Sequence, residues 1–206
     1  MLFRSPPIYY AVSPGDEAIL RLLLAKGAKV NPPPEKKDNT PLHNAETANI
    51  ARILIDNGAI VDALNKNDQS PLHGFALSGR RDLVELLLSA GANPRLKDKE
   101  GKTPLHHAAG AWRAGVVAPL IAKGANPNER NAHGAVPLDG VIPFNSGQNR
   151  DANRAAQVET LQALLAGGAN PNLTATGTAP HLFRAVQEGF EEAAEVLLKE
   201  IGRAHV

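Results

Sequence analysis

The sequence predicts an all-α solenoid of stacked helix-turn-helix units joined by short β-hairpin-like loops. Three observations carry that expectation. One phrase recurs along the chain: NTPLHNA from Asn39 to Ala45, QSPLHGFA from Gln69 to Ala76, KTPLHHAAG from Lys102 to Gly110, and a worn copy, AVPLDGV, from Ala135 to Val141. A second phrase alternates with it: LLLAKGA ending at Ala28, ILIDNGA at Ala59, LLLSAGA at Ala92, PLIAKGA at Ala125 and ALLAGGA at Ala169. The two share a step: Thr40, Ser70, Thr103 and Val136 advance by 30, 33 and 33 residues, and Gly27, Gly58, Gly91, Gly124 and Gly168 by 31, 33, 33 and 44. A period of that length marks a stacked repeat.

The physics inside one unit is legible. A polar turn, KDKEG (Lys97 to Gly101), leads in. Thr103 caps a short helix and Pro104 takes its first position, where the missing N–H costs nothing. Ala108 and Ala109 are small enough to let neighbouring units approach. A turn follows, then a second helix with a Leu-rich face, RRDLVELLLSAG (Arg80 to Gly91) in the preceding copy. Gly91 ends it in the left-handed conformation that glycine tolerates. Neither helix buries its apolar face alone, so copies must stack. The pattern resembles the ankyrin repeat: a period of 33, TPLH opening the first helix, and LLL-x-x-GA closing the second. The resemblance covers essentially the whole chain. It implies a cupped array whose hairpin tips and exposed first-helix positions line a concave, protein-binding face.

Six units are expected, over 1–34, 35–64, 65–97, 98–130, 131–173 and 174–206. In the first, PIYYAV (Pro7 to Val12) fills the PLHxAA slot. The second enters through NPPPEKKDN (Asn31 to Asn39), whose three prolines predict a stiff, extended turn. It has also lost the inter-helix turn that Gly15, Gly79 and Gly189 make in other units: Ala45 to Gly58 is 13 steps where Phe75 to Gly91 is 16. The fourth puts Trp112 in that glycine slot, and Pro119 inside its second helix predicts a kink or a late start there. The fifth carries a polar insertion near 143–154, PFNSGQNRDANR, read as an exposed loop. In the sixth, LFRAVQEG (Leu182 to Gly189) and EEAAEVLLKE (Glu191 to Glu200) are the two helices, Ile201 replaces the closing glycine, and a Glu-rich outer face suits a terminal cap.

Composition narrows the function. Hydrophobic residues are 43% and aromatics 4%, so the core is Leu, Ala, Val and Ile. A net charge of +1 demands neither nucleic acid nor an anionic membrane. There is no cysteine, which excludes disulfides and thiolate chemistry. MLFRSPPIYYAV has no apolar signal core, and runs such as Ala18 to Ala25 are too short to span a bilayer. The expectation is a soluble, cytoplasmic, monomeric protein, although a mature chain freed of a signal would read the same.

The recurring histidines are the tempting chemistry. A metal needs donors about 2.0–2.1 Å from one ion, whereas equivalent residues on stacked helices sit roughly 8–10 Å apart. His43, His73 and His106 therefore form a ladder and not a cage. The ankyrin resemblance implies a structural role for them beside the hairpins, and a turn-bracing role for Asn65, Asp98, Asn131 and the Asn of GANPN (Asn126 to Asn128, Asn170 to Asn172). His107 is a lone spare. No catalytic constellation, metal site or cofactor is expected.

The concave positions free to vary carry the partner-binding expectation. From the hairpins they include Lys36, Lys37, Asn39, Lys66, Asn67, Gln69, Lys99, Glu100, Lys102, Ala132, His133 and Ala135, with five Lys against one Glu, or +4. Leu77, Ser78 and Trp112 join from the helices, two of them apolar. The reading is a non-catalytic protein-interaction module whose partner has acidic character. The alternative is the targeting or scaffolding part of a larger effector or enzyme chain, which the start in mid-unit favours. Trp112 has its own alternative, packing the unusual turn. Fingertip lysines without interleaved aromatics argue against nucleic acid.

Overall fold

The computed structural model describes residues 7–12, 16–31, 38–142 and 150–203. Among them ten α-helices and two 3-10 turns follow one another with no strand. They form six consecutive pairs. α1 (Pro7–Val12) is followed by α2 (Glu17–Ala25), and the 3-10 turn Pro41–Asn44 by α3 (Ala48–Asp56). Then come α4 (Pro71–Ser78) with α5 (Arg81–Ser89), and α6 (Pro104–Gly110) with α7 (Ala114–Ala122). The 3-10 turn Pro137–Gly140 precedes α8 (Arg150–Ala166), and α9 (His181–Gln187) precedes α10 (Glu191–Arg203).

The pairs stack in two layers. α4 packs on α6, which packs on the Pro137–Gly140 turn; α2, α3, α5, α7, α8 and α10 pack in that order in the other layer. The core lies between. Leu42, Leu72, Leu105 and Leu138 from the first elements are fully buried with Leu54, Leu87, Leu120 and Leu164 from the second. This is the Leu, Ala, Val and Ile core that the scarcity of aromatics demands.

Each closing Gly-Ala has a mechanical reason. Gly91 stands at φ 89°, its N–H donating to the Leu88 carbonyl, while the Ala92 N–H reaches the Leu87 carbonyl at 2.9 Å. That is a Schellman stop. Glycine supplies the left-handed residue and the alanine after it is buried. Nothing lies within 4 Å of where a Gly91 side chain would project. Gly91→Ala therefore isolates the conformational term: an expected loss of about 1–2 kcal/mol, read from the urea midpoint. A neutral result would show that the turn relaxes out of the left-handed region.

Four expectations need correction or closer statement. α7 does not start late: it begins at Ala114, 33 residues after α5 begins at Arg81, and runs unbroken through Pro119. The carbonyl that Pro119 leaves without a donor belongs to Gly115, whose backbone is exposed to solvent. The fifth-unit insertion is not loop throughout, because its last residues open α8, which is 17 residues long against nine for α5. After Gly147 the stretch has no Gly or Pro, and Arg154 is anchored to the Gly189 carbonyl at 3.1 Å and over the Phe190 ring at 5.2 Å. In the sixth pair α10 runs past Ile201 and through Gly202 to Arg203. The shortened second unit takes the form of a first helix reduced to one 3-10 turn. The proline-rich turn at 32–37, Gly15, and residues 143–149 of the insertion lie outside the described residues.

Candidate functional site: the concave face

The fingertips are built by side chains that replace backbone partners. Asn65 Oδ1 accepts the N–H groups of Asn67 (2.8 Å) and Gln69 (3.1 Å). Asp98 Oδ1 accepts those of Glu100 and Lys102, and Asn131 Oδ1 those of His133 and Ala135. Neighbouring tips are tied by Lys99 N–H to the Asn67 carbonyl and Ala132 N–H to the Glu100 carbonyl. The GANPN asparagines brace in the same way: Asn126 Oδ1 accepts the Asn128 N–H, and Asn170 Oδ1 the Asn172 N–H.

The histidine ladder joins helices to tips. In each of His43, His73 and His106, Nδ1 accepts the backbone N–H three residues earlier, at 3.0, 3.1 and 3.2 Å. An N–H can only donate, so Nε2 carries the ring proton. Nε2 then donates to the next unit's tip: the Gln69, Lys102 and Ala135 carbonyls at 3.0, 3.2 and 3.1 Å. In the first pair, Tyr9 holds the histidine slot and its hydroxyl donates to the Asn39 carbonyl at 2.7 Å. His107 is also engaged, with Nε2 2.8 Å from Asp98 Oδ2 and its ring edge-on to His73, centroids 5.6 Å apart. Burial alone would raise the Asp98 carboxyl, but the His107 and Lys102 hydrogen bonds outweigh it and hold it below its ordinary value. Among the described residues no group of three or more His, Asp or Glu is placed to hold a metal ion.

The ladder changes chemistry at its last rung. Asp139 stands in the histidine slot. Its Oδ2 accepts the Val136 N–H at 2.9 Å, as Nδ1 does elsewhere. Its Oδ1 turns to the sixth pair, 2.6 Å from Arg184 Nη2; His181 Nε2 is 3.2 Å from the same oxygen, off the line of a hydrogen bond. Arg184 also donates to the Ile142 carbonyl at 3.2 Å and is 5% exposed. Burial works against the Asp139 carboxylate, yet His181, the Val136 N–H and Arg184 together keep it low. The sequence signal for this exchange was present: VPLD has an acid where its siblings have His, and HLFRA places Arg184 where KTPLHHAA has His107.

A cleft of about 390 Å³ opens on this face. Leu77, Lys102, His107, Asn131, Asp139 and Gly140 are among the residues lining it. It brings together two of the expected binding residues, Leu77 and Lys102, and Leu77 is 48% exposed. Asn67, Glu100 and His133 are exposed at the tips and outside the cleft. Lys66 and Lys99 are exposed too and make no ion pair among the described residues, whereas Lys102 is held by Glu100 at 2.7 Å. The described part of the row is thus three Lys and one Glu, +2, and Asp68, turned left-handed at its tip with φ 57°, lowers this to +1. Lys36 and Lys37 lie outside the described residues. Trp112 adopts φ 56° in the glycine slot and is half-buried against the core, with Nε1 enclosed and unpartnered. That placement favours a packing role at the turn over a place in the cleft.

Comparison with known proteins agrees with this architecture. The family pattern described as ankyrin repeats (3 copies) matches residues 46–131. An ankyrin repeat domain from Acinetobacter baumannii AYE superposes with a TM-score of 0.78 at 26% identity, covering 94% of this chain and 97% of that one. No curated protein matches the sequence. A stacked helix-pair solenoid with histidine-braced fingertips is what fold and face define. Residues 46–131 carry the ankyrin-repeat pattern, and the described chain shares the fold of an ankyrin repeat domain. Among the described residues no helix is long and apolar enough to cross a membrane.

Proposed function

We propose that the chain is a non-catalytic protein-interaction module that takes an acidic segment of a partner across its concave face. The observation that carries the reading is the cleft beside an exposed Leu77, with the unpaired Lys66 and Lys99 ammonium groups on the tips above it. An apolar partner side chain fits the cleft, and acidic neighbours meet the lysines. The apolar contact holds the complex while charge sets on-rate and selectivity. Ankyrin-repeat proteins as a family serve chiefly as interaction modules, and the fold itself names no partner.

The test is affinity capture from the native host, run in parallel with wild type, Leu77→Arg and Lys66→Glu/Lys99→Glu, followed by titration of the captured protein at low and high salt. The expected result is affinity reduced about tenfold by either variant, equivalent to ~1.4 kcal/mol, and weaker wild-type binding at high salt. A partner held equally by all three proteins, with no salt dependence, moves the site off the concave face.

A further inference from the structure

At the N-terminal end of the stack, α2 exposes apolar side chains at positions that the later units bury or half-bury. Counted back from the closing glycine, Ile19 occupies the position of Ile50, Leu83, Val116 and Thr160. Those four are 0% exposed and Ile19 is 49% exposed. Leu22, at 59%, corresponds to Ile53, at 5%, and to Leu86, Pro119 and Ala163, which are half-buried. Leu23 is half-buried where Leu54, Leu87, Leu120 and Leu164 are fully buried. In the interior these positions are covered by the preceding unit's second helix, as α2 covers α3 and α5 covers α7.

The opposite end shows the complementary half. The positions that cover a following unit are Val84 and Leu88 in α5, at 0% and 5% exposure. Their counterparts in α10 are Ala194, half-buried, and Leu198, 56% exposed. A capping unit is expected to turn a polar face outward. Here each end instead keeps one side of the ordinary unit-to-unit contact. Charge adds direction. Arg21 and Glu195 occupy equal positions in the two end helices, and head-to-tail stacking sets this pair side by side with opposite sign. Glu17 and Glu191 oppose, which keeps the contact weak.

We propose that copies of this chain associate head to tail, the Ala194–Leu198 face of α10 covering the Ile19–Leu23 face of α2 of the next copy. The contact continues the interface already repeated inside the molecule. It is heterologous and does not close on itself, so it grows with concentration into short chains.

Sedimentation equilibrium from micromolar to millimolar protein tests this, with Ile19→Asp and Leu198→Asp as end-blocking variants. Both residues are exposed, so each variant is expected to stay folded, which circular dichroism checks. Leu22→Gln and Ala194→Gln are the milder second pair. Wild type is expected to rise in mass with concentration and each variant alone to remain monomeric. The mixture of the two should form one-to-one dimers and no larger species, since each supplies the end the other lacks. A wild type that stays monomeric throughout overturns the proposal. A Leu198→Asp variant that still dimerises alone overturns the head-to-tail arrangement, because two α2 faces would then be pairing.

Discussion

Asp139→Ala is expected to cost about 3–5 kcal/mol, because it strands a buried guanidinium without its counter-charge. Arg184 is 5% exposed, its Nε already lacks a partner, and the 2.6 Å contact to Asp139 is its only ion pair among the described residues. The Asp139→Ala/Arg184→Ala double variant is expected to be less damaged than the sum of the singles by about 2 kcal/mol, a coupling in the range of contacting residues. Denaturant titration of the four proteins gives the cycle. The damage should also be local. In a solenoid each unit leans on its neighbours alone, so hydrogen exchange should quicken in α9 and α10 and stay slow in α3 to α6. Strict additivity, or a loss of protection spread evenly along the chain, would contradict the assignment of this network as the clasp of the last pair.

That clasp shows where a repeat sequence is legible and where it is not. TPLH and LLL-x-x-GA declared the fold because each of their residues has one local duty: a cap, a first-turn proline, a ladder histidine, a left-handed stop. Tyr9 and Asp139 were harder, since each does the histidine's work with different chemistry, and the substitution makes sense only beside its partner in the next unit. α7 starts on register and runs on through Pro119 because a nine-residue helix clamped between α5 and α8 is held by packing and not by its own hydrogen bonds. The insertion was read from turn-rich composition, but its second half is pinned by Arg154 to Gly189 and Phe190. Such a contact has no signature at the insertion itself. Within the concave face, the tips were legible and the cleft was not, because its walls belong to neighbouring units and depend on Gly110 and Gly140 letting two backbones approach, with a Gly140 side chain placed 3.0 Å from Gly110 Cα.

The ladder also predicts that stability falls as pH drops from about 6.5 toward 4. Burial, and then the neighbouring His107, push His73 down to about 4, and burial lowers His43 and His106. Geometry agrees: a proton on Nδ1 would face the Ser70 N–H that this nitrogen accepts at 3.1 Å. In the unfolded chain a histidine titrates near 6.5. Between the two values the unfolded state binds a proton that the folded state refuses, so stability is complete above 6.5 and is lost as the pH falls. For His73 the full loss is about 3 kcal/mol, at ~1.4 kcal/mol per pH unit. Asp98 and Asp139, both held below their ordinary range, contribute in the same direction but in a lower window, as pH falls below about 3.8. Urea midpoints for wild type and His73→Asn at neutral pH, mid-window and near pH 4 separate the contributions. The variant is expected to be weaker at neutral pH and to lose less on acidification, by close to one proton's worth of slope. A wild type whose midpoint is unchanged down to pH 4.5 would mean that the ladder accepts protons in place, and that its histidines are not held neutral by the fold.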